Sequence, residues 1–417
     1  MVICGAQKIK NEKELSNSVH APPKSIKRKI IKKAYISVIK ALNYKSRNKR
    51  KAQLANQICI FDLSEKLVNY KLAFELQNFL HQSKIILQKE NNFNLTNQSE
   101  LNKLKNFKKN LERYDFCFIL QHTPCYTLGS SADPNDILLE KKNYYIEELG
   151  EVYNNFDPKS ILSFIRKYQD LKDEIDMCEI YDEKKYYFEN FVENTNKKKI
   201  PIYRINRGGK ATFHGPGQLV LYFIFNLKNY SSNYRYKNIL PGKDSYYYAK
   251  KKDLKLKKYN EYPLSNKNDV NNNIDVDLTF DLHKTINNFQ KVGMETMNKF
   301  KIITHTKDDS IGVFYNEKKL ISIGLKIRKY ISMHGMSLNF NINKNFLKYL
   351  LSCGMDHSNY TSVHEICEKQ KSDNLNRNEI ASQTPLIKKL TLNSVQSVKS
   401  IFNAKIKISN DILDIFA

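Results

Sequence analysis

Tryptophan is absent from these 417 residues, and glycine and proline are scarce at 13 and 10. Glycine stands at roughly half its usual frequency of about 7%, which excludes collagen-like and Gly/Pro-rich low-complexity chains. Long apolar runs are missing too: the longest, Leu219 to Phe225, falls far short of the ~18 residues that cross a bilayer as a helix. The seven cysteines (Cys4, Cys59, Cys117, Cys125, Cys178, Cys353, Cys367) are odd in number and form no CxxC pairs. Neither a disulfide scaffold nor a zinc ribbon is indicated, and a reducing compartment is the default. Heptads and internal repeats are lacking, which removes coiled coils and solenoids.

Acidic residues are missing from Leu15 to Phe61. Of the net charge of +26, half lies in the first 60 residues, where 15 Lys and Arg face only Glu12 and Glu14. The chain therefore reads as a basic leader, residues 1–57, on a moderately basic body, and not as a uniformly basic nucleic-acid binder. Within the leader, Ile30, Ile31, Tyr35, Val38, Ile39 and Leu42 recur at roughly helical spacing among lysines. A basic amphipathic segment of this kind has the look of an organelle transit sequence.

Three stretches of the body, residues 58–417, read as insertions. Residues 86–112 and 231–277 are rich in Lys, Asn and Tyr without a sustained apolar period, and are expected to be mobile or disordered. Residues 140–199 are net acidic, with Ile161, Phe164, Ile165 and Tyr168 spaced for a short helix; partial, peripheral order is expected there. What remains is the size of one domain.

In that remainder the periodicity predicts helices over Leu67–Leu80 and Phe280–Phe300, the second weakened by Gly293. Strands are predicted at Phe116–Gln121, followed by a loop HTPCYTLG, and at Gln218–Leu227. Gly312–Tyr315 and Lys319–Arg328 form a hairpin across NEKK, with a further strand around Met336–Phe340. Helices and strands mix without a βαβ repeat, so the expected class is α+β.

A chain so sparing with glycine places four of them, Gly208, Gly209, Gly215 and Gly217, within RGGKATFHGPGQ, Arg207 to Gln218. Glycine permits positive φ and close approach of backbone to a ligand, and Pro216 stiffens the segment. The spacing matches neither a GxGxxG loop nor a Walker loop. Taken locally, a tight structural turn explains the pattern as well as a ligand loop does.

Further short glycine motifs follow. RGGKATFHGPGQLVLYFIFNL, then IGVFYNEKKLISIGLKIRKYISMHGMSLNFNI, then SCGMDHSNYTSV, with HTPCYTLG upstream, together resemble the octanoyltransferase family of lipoate biosynthesis. The resemblance covers most of the core and none of the leader or insertions. It implies a catalytic domain of the biotin/lipoyl protein ligase type, with a mixed β-sheet flanked by helices. It also implies an octanoyl group carried from acyl carrier protein to an enzyme cysteine and then to a lysine ε-amine of lipoyl domains in 2-oxoacid dehydrogenase complexes. Neither cofactor, metal, nucleic acid nor membrane is part of that chemistry, and a monomer is expected. The Lys, Asn, Tyr and Ile richness resembles proteins of AT-rich apicomplexan genomes, which implies a plastid-like organelle (the apicoplast), with the mitochondrion second.

The motif match puts the nucleophile at Cys353 and its lysine partner at Lys319. Lys318, its neighbour, would point to the opposite face of a strand. Substrate contacts carry over to Arg207, Gly208, Gly209, Lys210, Ala211, Thr212, Phe213 and His214, to Ser322, Ile323 and Gly324, and to Gly335, Met336 and Ser337. His214 and His334 are expected to be hydrogen-bonded positioners. Two departures stand out: Ser352 replaces the proline usual before the nucleophile, and Lys210 occupies a place often taken by Gln. Rival readings are an ATP-dependent lipoate-protein ligase of the same fold, a cysteine protease pairing Cys353 with His334 or His214, and a zinc module built from Cys353, His357, His364 and Cys367.

Overall fold

The computed structural model describes residues 57–87, 97–150, 162–163, 170–181, 199–230, 281–351, 357–372 and 385–415. All of these fall in the second of two units, Ala55–Ala417. Residues 1–56, which the sequence suggests as a leader, the stretch 231–277, and Ile161, Phe164, Ile165 and Tyr168 lie outside the described residues, as do Ser352 and Cys353.

The centre of the fold is β8 (Gln218–Ile224), whose seven residues are all buried. Val220, Tyr222 and Ile224 face one core, while Leu219, Leu221 and Phe223 face the other. A strand covered on both faces reads as a continuous apolar run rather than an alternating one, which is how LVLYFIF appears in the sequence. Around it lies an eight-stranded sheet, ordered β12-β1-β2-β8-β11-β10-β9, with β5 (Glu179–Ile180) added to β1. Its strands are β1 (Gln57–Val68), β2 (Tyr114–His122), β9 (Gly312–Tyr315), β10 (Lys318–Arg328), β11 (Ile331–Asn339) and β12 (Lys405–Ser409). The β12-β1-β2 side is parallel and the β2-β8-β11-β10-β9 side antiparallel. A second sheet, ordered β4-β6-β3-β7, comprises β3 (Cys125–Leu128), β4 (Tyr144–Glu148), β6 (Ile200–Arg204) and β7 (Ala211–His214). The mixed sheet with helices on both faces is the α+β architecture expected from the sequence.

On one face pack α1 (Tyr70–Leu87) and α2 (Gln98–Arg113); on the other lie α3 (Leu282–Asn298), α4 (Val363–Ser372) and α5 (Leu386–Phe402). Helix α1 starts three residues later than the periodicity predicts, because Leu67 and Val68 finish β1 opposite Gln121 and His122. Asn69 then stops the strand, its side chain accepting the Lys71 N–H at 2.9 Å. The expectation of an unstructured 86–112 is corrected over its second half. Asn97 caps α2, accepting from the Ser99 and Glu100 amides, and Leu104, Phe107 and Leu111 enter the core. Their 3–4 spacing is amphipathic, but abundant Lys and Asn on the other faces masked it. Residues 140–199 are ordered in part as expected: β4 joins the second sheet, and Leu171 and Ile175 reach the core. Gly293 does not weaken α3 so much as let it pack, since a Cβ there would sit 2.7 Å from Ile321.

One ion pair is embedded in the α1 face. Lys84 and Asp115, both buried, meet at 2.9 Å. The Lys84 ammonium also donates to the Leu111 and Tyr114 carbonyls, and Asp115 accepts from the Asn226 N–H and the Tyr230 hydroxyl. Removing one partner of such a pair strands a charge and costs more than the pair contributes. Lys84→Met is accordingly expected to destabilise the fold by about 3–5 kcal/mol, read as a lowered urea midpoint; an unchanged midpoint would mean that the pair is solvated.

Candidate active site

The glycine-rich motif is not one loop. Its middle, Ala211–His214, is strand β7, paired antiparallel with β3, whose CYTL belongs to the upstream HTPCYTLG motif. Both segments read as loops in the sequence are thus partner strands, Thr127 opposite Thr212 and Cys125 opposite His214. Alternation then divides the predicted contacts: Thr212 and His214 face a cavity, while Ala211 and Phe213 are buried in the core of the second sheet. Gly208 hydrogen-bonds to the Leu325 carbonyl at 3.0 Å, and Lys210 is exposed.

At Gly217, φ is +82° and a Cβ would lie 2.1 Å from the Asn341 carbonyl oxygen. Here the chain crosses from the second sheet into β8, and the Gly217 carbonyl accepts both the Phe340 and Asn341 amides at 2.9 Å. Only glycine fits that approach.

The cavity and the open solvent at its mouth together span about 370 Å³. Of the residues expected to contact substrate, Arg207, Thr212, His214, Ser322, Ile323, Gly324, Gly335, Met336 and Ser337 line it. Tyr70, Val220, Tyr222 and His334 line it as well; Tyr70 lies outside the quoted motifs, and Val220 and Tyr222 lie within one as part of its apolar run. Gly208, Gly209, Lys210, Ala211 and Phe213 are not among its lining residues.

One wall is polar and buried. Arg207 donates to the Thr127 hydroxyl at 2.8 Å and to the Thr127 and Gly208 carbonyls, and no carboxylate pairs with it among the described residues. Burial pulls its pKa down, an effect partly offset by the phenols of Tyr70 and Tyr222. His122 donates from Nδ1 to the Val68 carbonyl at 2.9 Å and accepts the Tyr222 hydroxyl at Nε2 at 2.6 Å. Desolvation lowers its pKa to about 4. His214 donates to Gln218 Oε1 at 2.7 Å and is held neutral by burial, then by the proximity of His122 and Arg207. Its expected role as a hydrogen-bonded side chain agrees with this geometry.

His334 differs from that expectation. Neither ring nitrogen has a hydrogen-bond partner among the described residues. Its backbone is left-handed, at φ +65°, and its N–H is accepted by the side chain of Gln77 on α1 at 3.1 Å. Burial holds this imidazole neutral too.

Lys319 is buried, its ammonium 5.4 Å from the centre of the Phe314 ring. The ladder explains its direction. Lys319 pairs with Phe314 and Ile321 with Val313, so Leu320 is an extra residue in β10. Leu320 and Ile321 both face the α3 core. The bulge thereby turns Lys319 onto the same face as Ser322 and Gly324, where strict alternation would have opposed it. Lys318 is half-buried rather than exposed. The Lys319 carbonyl accepts the Thr361 N–H at 3.1 Å, and Lys319 forms a bridge with Tyr360. Cys353 belongs to the same connection as Tyr360 but lies outside the described residues. Of the proposed zinc set, His357, His364 and Cys367 are described, and no three His, Cys, Asp or Glu side chains gather to hold a metal among the described residues.

With this geometry in view, residues 183–240 and 267–383 match a family model. That model describes the lipoyl protein ligase A/B catalytic domain. The octanoyltransferase of Buchnera aphidicola subsp. Acyrthosiphon pisum (strain APS) is 30% identical over 166 residues, 40% of this chain and 56% of that protein. The octanoyltransferase of Wolbachia sp. subsp. Brugia malayi (strain TRS) is 28% identical over 190 residues, 44% of this chain and 70% of that protein. The chain thus spans a little over half the length of the Buchnera relative. A solved lipoate-protein ligase A bound with ATP is 8% identical with a TM-score of 0.42, covering 85% of this chain and 88% of that one, a likeness too loose to carry weight beside the sequence matches.

The buried imidazoles set a pH dependence. In the unfolded chain each takes up a proton near pH 6.5, while folded His122 resists to about 4. Between those values the unfolded state binds more protons, so stability falls as pH falls. The urea midpoint is expected to drop from pH 7 to 4.5, with His122→Gln flattening part of the slope; equal midpoints at the two pH values would contradict neutral burial.

Proposed function

We propose that the protein is an acyltransferase that moves an octanoyl group from acyl carrier protein, through a thioester on Cys353, to the lysine ε-amine of a lipoyl domain. The observation that carries the reading is the β10 bulge, which turns buried Lys319 onto the face of the sheet that bears the cavity. The SCGM motif and the octanoyltransferase relatives support the choice of nucleophile and chemistry.

A free thiol with pKa ~8.5 is only a few per cent thiolate at neutral pH. A neighbouring ammonium that lowers this by about two units, worth ~2.7 kcal/mol, makes most of it nucleophilic. In this scheme the Cys353 thiolate attacks the carrier thioester, and Lys319 gives its proton to the departing phosphopantetheine thiolate. Neutral Lys319 then takes a proton from the lipoyl-domain amine as that amine attacks, and the thiolate–ammonium pair is restored. Burial of an eight-carbon chain contributes roughly 5 kcal/mol at ~0.8 per methylene. Acyl carrier protein is characteristically acidic, and the basic body suits it as an encounter partner. The basic leader directs the chain, in the same reading, to a plastid-like organelle.

Intact mass after incubation with octanoyl-acyl carrier protein and no ATP tests this. One octanoyl group is expected on the wild type and none on Cys353→Ala, with Lys319→Met slowing adduct formation by roughly 10²–10³. An adduct that survives in Cys353→Ala, or that appears only with ATP, would sink the assignment.

A further inference from the structure

The face that carries Lys319 has a floor of very small residues. Ser322 lies opposite Ser337 and Gly324 opposite Gly335, leaving a trough between the flanking Val220 and Tyr222 of β8 and the second sheet above. Its length is readable from strand geometry. Counted on β9, where Lys319 faces Phe314 and Ser322 faces Gly312, Ser322 is two steps and Gly324 four steps away, about 7 and 13 Å at ~3.3 Å per residue. An eight-carbon chain, extended with bonds of about 1.5 Å, covers roughly 9 Å. With its carbonyl about 3–4 Å from the Lys319 end, within hydrogen-bonding and contact range, its last carbon reaches Gly324.

The trough ends there. The Arg207 side chain lies across Gly324, its Cδ 3.2 Å from where a Cβ would stand, and Thr127 pins the guanidinium in place. One step further, His334 pairs with Leu325. By alternation its side chain belongs on the α3 face, between Met333 and Gly335. The left-handed backbone instead turns it onto the trough face, where its ring sits 6.0 Å from Phe74 and 6.5 Å from Tyr222. A non-glycine residue held at positive φ inside a strand is strained, and such strain persists where surrounding structure enforces it. Here the Gln77 side chain takes the N–H that the strained backbone presents.

We propose that His334 is a specificity-determining residue: its unpartnered imidazole, with Arg207 across Gly324, stops the trough at one eight-carbon length from Lys319. The inference rests on the acyl-transfer reading for the identity of the chain. The ring nitrogens are shut off from solvent by the packing around them, so the imidazole stands as a fixed wall. A chain four carbons longer must push that ring aside. Methylenes that find no room gain none of the roughly fourfold each would contribute if buried freely, and forcing them into packed surroundings costs roughly 5- to 150-fold. Past Gly324 the methylenes also run into the pinned guanidinium, so lengthening ceases to be favourable.

The test compares octanoyl- and dodecanoyl-acyl carrier protein as competing donors, with displacement of a fluorescent fatty acid by octanoate and dodecanoate as a readout that needs no transfer. His334→Gly suits the left-handed backbone and opens the wall; the octanoyl preference is expected to fall at least tenfold in both assays. His334→Asn tolerates the same φ and keeps part of the bulk, and retains more of the preference. If the wild type forms no adduct yet favours octanoate, and His334→Gly loses that preference, the length stop stands and the transfer reading fails. Wild-type selectivity retained in His334→Gly, or lost equally in the folded His334→Asn, would overturn the proposal.

Discussion

The geometry of the site hangs on one close approach of backbone to backbone, where the chain crosses from the second sheet to the first at Gly217. Its carbonyl takes two amides from the end of β11, and its amide is taken by the Gln121 side chain, which in turn donates to the Ser64 carbonyl. Strands β1, β2, β7, β8 and β11 are tied at that point. Because β7 is fixed there, Thr212 and His214 hang over β10 and β11, and the Arg207 chain that precedes β7 crosses Gly324. No side chain larger than hydrogen fits the crossing, so the placement of one sheet over the other is a matter of sterics before it is one of hydrophobic burial.

Within that frame, two departures from regular strand geometry select which side chains enter the cavity. An extra residue at Leu320 brings Lys319 to the working face, and a left-handed residue brings His334 there. A strand with strict alternation would have offered neither. The remaining wall is made of groups that satisfy one another in series: Val68 carbonyl, His122, Tyr222; and His214, Gln218, Asn339, Thr361 carbonyl. Burial keeps these imidazoles neutral against the pull of their hydrogen bonds, and Arg207 is left as a buried cation facing the trough.

Much of this was legible in the sequence, and the reasons differ by element. Scarcity made the glycine motifs conspicuous, and the apolar run of β8 announced a strand covered on both faces. The hairpin of β9 and β10 was visible from its turn and flanking apolar residues. By contrast, β1 was obscured because it begins where the basic leader runs out, and α2 because lysine and asparagine dilute its Leu104, Phe107, Leu111 stripe. Strand β12 and helix α5 drew no reading at all: KIKIS is short and highly charged, and its pairing with β1 spans nearly the whole chain. Neither the bulge nor the reversed backbone at His334 has a compositional mark, since Lys-Lys-Leu and Met-His-Gly fit a regular strand equally well. Tyr70 reaches the cavity only through packing that no local motif encodes, and Val220 and Tyr222 looked like plain core residues of the apolar run.

The buried Asp115 anchors the chain beyond β8, where it accepts the Tyr230 hydroxyl. Asp281 starts α3 through its own cap, accepting the Lys284 amide at 3.0 Å. Tyr230 and Phe289 of α3 then meet the same ring, Phe402 of α5, at 5.0 and 5.5 Å between centroids. A helix near the far end of the sequence thereby clamps two segments that follow one another only after a long stretch of chain, so a change at Phe402 would be felt by both at once.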